Sequence, residues 1–274
     1  IIWQIIGMGL LFGTIWLGKL IWFHRLEHSP SKAETLAAFV LLGTLAGGFW
    51  GAFAWWQNLS YAFSWPLPGL AARMLAAAGW SFALASALAL WRPYPTSLRL
   101  VLLMLWVYLA PLTVAILTLH LDRFDFTRDV TIAFFIIVVL LLVTSSVALL
   151  SLPRIDPDTG TYPNTLSIWA LRLIGAVAGL WAIALFIRPD GPVPFIWSWP
   201  SDALTTRLIA SMFLTVSVGA IAAGRNQRLA FIVFWATIAY GVGVVLAGFA
   251  HVANAEPSPM GYVTVTLPKS YMIV

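Results

Sequence analysis

The sequence predicts an all-α integral membrane protein, with eight transmembrane helices arranged as two parallel four-helix repeats. Three observations carry this. Hydrophobic residues make up 61% of the 274-residue chain and charged residues only 9%, where a soluble domain carries about 25% charged residues. Eight apolar runs are long enough to cross a bilayer, at about 20 residues per crossing. The tripeptide Ser-Trp-Pro occurs twice, at Ser64-Trp65-Pro66 and Ser198-Trp199-Pro200, 134 residues apart.

The spans follow in chain order. The first, Ile1–Phe23, lacks a small-residue cleavage site and reads as a span, not a signal peptide; Lys19 lies near its end, where a long side chain snorkels. The second, Leu36–Trp56, carries Gly43, Gly47 and Gly51. The third, Gly69–Trp91, follows the first Ser-Trp-Pro. The fourth, Leu98–Leu121, contains Pro111, expected to kink it. The fifth, Val130–Leu152, is a run of branched aliphatic residues. The sixth, Leu166–Ile187, carries Gly175 and Gly179, with Arg172 near its start. The seventh, Ala203–Ala223, follows the second Ser-Trp-Pro. The eighth, Leu229–Ala250, holds Gly241 and Gly243. Backbone groups in lipid must bond internally, so these spans are helices; the alternating ten-residue segments of a membrane β-barrel do not occur.

The repeat extends beyond the tripeptide. Each copy has Leu four residues after the Pro (Leu70, Leu204) and Arg seven after it (Arg73, Arg207). Gly43-x-x-x-Gly47 matches Gly175-x-x-x-Gly179, Trp106 after Arg99 matches Trp235 after Arg228, and His120 and His251 end the fourth and eighth spans. Four crossings return the chain to its starting side, so the two units are parallel repeats about an axis along the membrane normal. This divides the chain into a first repeat (1–129), a second repeat (130–252) and a tail (253–274).

The odd-numbered connectors and their flanks hold Lys19, Arg25, Lys32, Arg92, Arg99, Arg154, Arg172, Arg225 and Arg228. The other side holds Arg73, Arg123, Arg128, Arg188, Arg207 and Lys269. The positive-inside rule then places the odd connectors in the cytoplasm and both ends of the chain outside. Trp22, Trp55, Trp56, Trp65, Trp91, Trp169, Trp197 and Trp199 fall at span ends and read as an aromatic belt. Trp50, Trp80, Trp106, Trp181 and Trp235 lie deeper and read as packing between helices. The net charge of +5 comes without a basic cluster, so nucleic acid is not an expected partner. Without cysteine, disulfides and thiolate chemistry are excluded.

Four constellations are candidate sites. Arg73 and Arg207 sit about one turn inside a helix N-terminus, the wrong end for a cation. With Trp65 and Trp199, and with free N–H groups, they suit a phosphate or carboxylate such as a lipid headgroup; alternatively each arginine ties down its own loop through carbonyl oxygens. His120 and His251 are the repeat-related candidates for a haem or pigment ligand. His24-Arg25-Leu26-Glu27-His28 has the spacing of an inverted zinc peptidase motif, but no acid follows between Glu34 and Asp122, so it reads as a solvated helix end. The loop from His120 to Asp129 holds three Asp interleaved with Arg123 and Arg128 and reads as a surface linker, and Asp156-Pro157-Asp158-Thr159-Gly160 as a turn. No metal site is expected. Gly43, Gly47, Gly175 and Gly179 are expected to bring helices close, within the bundle or against a partner subunit.

The Trp-Pro-x-x-x-Leu-x-x-Arg element resembles one in uncharacterised multi-pass bacterial membrane proteins that read Trp-Pro-Leu-Thr-Pro-Leu-Thr. Here the copies read Trp65-Pro66-Leu67-Pro68-Gly69-Leu70 and Trp199-Pro200-Ser201-Asp202-Ala203-Leu204, about a dozen residues in each half. The resemblance implies a bacterial integral membrane protein and brings no activity; the expected location is the bacterial inner membrane. No Asp or Glu falls inside a span, so ion-coupled transport has little to work with. The expected function is a non-catalytic accessory or scaffold subunit of a membrane complex, surrounded by bound lipids. The alternative is a transporter of a lipid or small amphiphile at the interface of the repeats.

Overall fold

A computed structural model describes residues 2–25, 29–59, 62–65, 67–154, 165–189, 202–223 and 226–253, with α1 side chains from 9 to 24. The described residues form eight α-helices and no strand: α1 (Ile2–Arg25), α2 (Lys32–Trp56), α3 (Gly69–Trp91), α4 (Pro95–Leu119), α5 (Asp129–Ser151), α6 (Thr165–Ile187), α7 (Ala203–Ala223) and α8 (Gln227–Ala253). Seven of them, α2 to α8, are long and apolar enough to cross a membrane.

Two helices start earlier than hydropathy alone indicates, and local chemistry explains both. α2 begins at a capping box: the Ser31 hydroxyl accepts from the Glu34 amide at 3.2 Å, and the Glu34 carboxylate accepts from the Ser31 amide at 2.8 Å, satisfying two end groups at once. α4 begins with Pro95 at its first position, where the missing N–H costs nothing. α4 also runs unbroken through Pro111.

Apolar residues surround every helix, because lipid is as apolar as the protein interior. Residue size sorts the helices instead. The Ala-, Ser- and Gly-rich α3 and the Ser- and Thr-bearing α7 are the most buried, while α5, rich in Ile, Val and Leu, and α6 are the most exposed.

α3 packs on α2 and α8, and α7 packs on α6 and α4, so the central contacts α3–α8 and α4–α7 both join residues 1–129 to residues 130–252. The Ser81 hydroxyl donates to the Ala236 carbonyl at 2.7 Å across α3–α8. A Cβ placed on Gly243 of α8 would lie 2.5 Å from the Ala77 Cβ of α3, and one on Gly219 of α7 would lie 3.1 Å from the Met104 sulfur of α4. Thr215 of α7 also donates to the Met104 carbonyl at 3.4 Å. The seam between the halves is therefore close-packed at each of these points.

α5 packs on α4 and α2. Its start is tied to the first Ser-Trp-Pro loop: Thr131 donates to the Ser64 carbonyl at 3.5 Å, Ser64 donates to the Val130 carbonyl at 3.4 Å, and the Trp65 ring meets Phe124 and Phe134 edge-on. At its other end, Arg99 of α4 donates through Nη1 to the carbonyls of Leu149 and Leu152, the latter at 2.6 Å. The last carbonyls of a helix lack intrahelical partners and carry the negative dipole end, so a guanidinium suits them.

The expected division of tryptophans is partly reversed. Trp22 and Trp65, assigned to an interfacial belt, are 1% and 6% exposed. Trp106 and Trp235, assigned to packing between helices, are 38% and 45% exposed. Position along a helix fixes depth in a bilayer, not the direction a side chain faces.

Candidate functional site: an arginine–histidine contact between α4 and α7

The first turn of α7 is held by Asp202. Its Oδ1 accepts from the amides of Leu204 (3.0 Å) and Thr205 (3.1 Å), and its Oδ2 accepts from the Thr205 hydroxyl at 2.7 Å. The amides that the sequence leaves for an external anion are thus engaged by a carboxylate of this chain. At α3 the N-cap is Pro68, without a side-chain cap, and Arg73 is 7% exposed.

Arg207 reaches α4. Its Nη1 lies 2.5 Å from Nε2 of His120, and its guanidinium carbon lies 5.9 Å from the centre of the Phe186 ring. Arginine only donates, so His120 accepts through Nε2 and carries its proton on Nδ1. His120, the residue that follows α4, is 7% exposed. Burial lowers its pKa from the ordinary histidine value, and the charges of Arg207 and Arg123 lower it further. The neutral imidazole is the form that can receive Arg207. Nε of Arg207 and Nε1 of Trp65 are both buried without a hydrogen-bond partner among the described residues.

Both orphan donors belong to one neighbourhood. Leu204 and Leu208, on the face of α7 that bears Arg207, cluster with Ile116 of α4 and with Trp65. His120 lies one turn beyond Ile116. The site therefore joins a guanidinium and a neutral imidazole, backed by an apolar cluster that includes Trp65. The nearby carboxylate of Asp202 is occupied by capping. Such a donor set suits an anionic oxygen.

Of the other sequence-selected residues, His251 of α8 is 4% exposed. Trp199 and its Ser-Trp-Pro loop, Leu26 to His28, and Asp156 to Gly160 lie outside the described residues. Among the described residues, no three acidic or histidine side chains lie together to hold a metal ion. Asp125 instead accepts from the amide and hydroxyl of Thr127, at 3.0 and 2.6 Å, and these bonds hold its carboxyl below its ordinary pKa.

The glycines divide. A Cβ on Gly175 would meet the Ser217 carbonyl at 3.3 Å, and one on Gly179 the Ser217 hydroxyl at 2.7 Å, so both permit the α6–α7 approach. A Cβ on Gly43 or Gly47 would meet nothing within 4 Å. The glycine that lets α2 approach α3 is Gly48, which the Gly-x-x-x-Gly pattern passes over.

Comparisons with protein-family models, characterised proteins and solved structures find no match.

Proposed function

We propose that this chain is a non-catalytic accessory or scaffold subunit of a larger membrane complex, built as two parallel four-helix repeats crossing a bacterial inner membrane eight times. The observation that carries the functional reading is the close-packed seam. A transporter working at the repeat interface needs room between α3 and α8 or between α4 and α7, and there Gly243 already meets Ala77 and Gly219 meets Met104. Bulky apolar side chains are exposed along α5 and α6, among them Ile136, Leu140, Leu173 and Leu180, a flank suited to lipid and to other membrane subunits.

The parallel repeat is supported by matched surroundings. Leu70 and Met74 of α3 cluster with Ala247 of α8, as Leu204 and Leu208 of α7 cluster with Ile116 of α4. His251 follows Ala247 by four residues, as His120 follows Ile116. This symmetry sets Arg73 and His251 as the counterpart of Arg207 and His120. The orientation with both ends outside rests on the basic-residue bias.

The second reading is a carrier of a lipid or small amphiphile. The Nε of Arg207, which has no partner among the described residues, favours it, since an anionic headgroup would satisfy that donor.

One experiment separates the two. In mild detergent, the scaffold reading expects a second membrane polypeptide at fixed stoichiometry, released when Leu173 and Leu180 are both changed to Ala. The isolated chain in liposomes should leave fluorescent anionic and zwitterionic lipid analogues in their starting leaflet. Lipid movement catalysed by the isolated chain overturns the scaffold reading.

A further inference from the structure

At the end of the bundle opposite the Arg207–His120 contact, a cavity of about 450 Å³ opens between the end of α3, the turn into α4 and the start of α8. Its walls differ in kind. Leu88 and Trp91 of α3 and Phe231 and Ile232 of α8 make an apolar side, while Arg92, Tyr94 and Arg228 give it a charged and polar rim. Trp91 and Phe231 are half exposed, so the apolar side continues onto the outer surface of the bundle.

Among the described residues, everything charged at this cavity is positive. None of its lining residues is acidic. α4 and α8 both present their N-termini here, and neither has an acidic residue in its first turn, where acids are ordinarily favoured. The first amides of α8 are capped by a neutral side chain: Asn226 Oδ1 accepts from Arg228 and Leu229 at 3.0 and 3.3 Å. Arg228 is held in place, its guanidinium carbon 4.3 Å from the centre of the Tyr94 ring. A planar guanidinium stacked on a ring keeps its edge N–H groups available for a second partner.

We infer that this cavity binds the phosphate of an anionic phospholipid, gripped by Arg92 and Arg228, with an acyl chain leaving along Trp91 and Phe231. A free anion would use the two arginines and leave the apolar wall unused. A zwitterionic lipid would bring a cation to a site with no acid among its described residues. The volume suits a headgroup and the first part of a chain. The inference does not rest on the scaffold reading: the cavity opens at one end of the α3–α8 seam, among residues other than the Gly243–Ala77 contact.

The test uses the full chain, delipidated in a neutral detergent, with bound lipid counted by native mass spectrometry. Phosphatidylglycerol should bind about tenfold more tightly than phosphatidylcholine with the same acyl chains. Changing Arg92→Gln and Arg228→Gln together should abolish that preference at unchanged helix content. Arg154→Gln, which removes one charge from another turn of the chain, should keep it. The double Lys variant should retain part of it, which separates loss of the grip from loss of the fold. Three results would overturn the inference: a preference that survives the double Gln variant, one lost equally in Arg154→Gln, or complete displacement of phosphatidylglycerol by millimolar inorganic phosphate, which would make this a site for a free anion.

Discussion

Gly48 of α2 and Gly79 of α3 touch backbone to backbone. A Cβ on Gly48 would lie 2.6 Å from the Gly79 carbonyl oxygen, and a Cβ on Gly79 would lie 3.0 Å from the Gly48 carbonyl oxygen. A main-chain carbonyl inside a helix cannot rotate away. Gly48→Ala should therefore force the helices apart, at a cost of about 1–3 kcal/mol. Gly43→Ala and Gly47→Ala enter open space and should stay within about 0.5 kcal/mol of wild type. Thermal unfolding of the three variants in one detergent checks the order, and equal melting temperatures would refute it.

The seam gives a sharper version of the same test. Gly243→Ala should destabilise the α3–α8 contact, because its new methyl group meets Ala77, while Gly241→Ala meets nothing within 4 Å and should be near neutral. Ala77→Gly combined with Gly243→Ala should recover part of the loss, with a coupling of about 0.5–3 kcal/mol. Additive effects in the double variant would show that the two positions do not meet.

Arg99 joins α4 to the last carbonyls of α5. Replacing it with Leu should cost about 1.5–3 kcal/mol, the range for hydrogen bonds to a charged group. Both bonds leave one nitrogen, Nη1, so Lys, whose ammonium carries three donors, should recover much of this. Hydrogen exchange at the end of α5 reports it: faster exchange at 149–152 in Arg99→Leu is the expected result, and unchanged protection would refute the role.

His120 makes stability depend on pH in a defined direction. Its folded pKa lies below the unfolded value of about 6.5, first through burial and then through Arg207 and Arg123. Above that value both states are neutral and the full contribution is present. Below it the unfolded chain takes up protons that the folded site resists, so stability falls as pH drops toward the folded pKa. His120→Gln, which still offers an acceptor to Arg207, should flatten this part of the profile. An equally steep fall in the variant would place the acid sensitivity elsewhere.

Much of the helical architecture is legible in sequence because lipid imposes it. An apolar run of about 20 residues with no charge has few alternatives to a helix, and predicted and observed limits agree closely at α3, α6 and α7. The earlier starts of α2 and α4 were also written locally, in Ser31-x-x-Glu34 and in Pro95, but hydropathy does not register caps. Which way each helix faces was not legible. In a soluble protein the polar face gives the answer, and here the lipid-facing and core-facing sides are equally apolar. That is why Gly48 was missed beside Gly43 and Gly47, and why Trp22 and Trp106 exchanged roles. The Arg207–His120 contact was half legible. Spacing from Trp-Pro singled out Arg207, and the span ends singled out His120, but their meeting joins residues 87 apart, and only the packing of α4 on α7 supplies it.

The bond from Ser81 to the Ala236 carbonyl spans 155 residues, and this sets a timetable for biogenesis. A ribosome delivers α3 to the membrane long before α8 exists. Throughout that interval the Ala77 and Ser81 surface of α3 has only lipid, the insertion machinery or a chaperone to cover it. A transcript truncated after α7 would strand α3 in that waiting state, visible to membrane proteases as a span with an open groove. The α3–α8 contact thus closes only once α8 has entered the membrane.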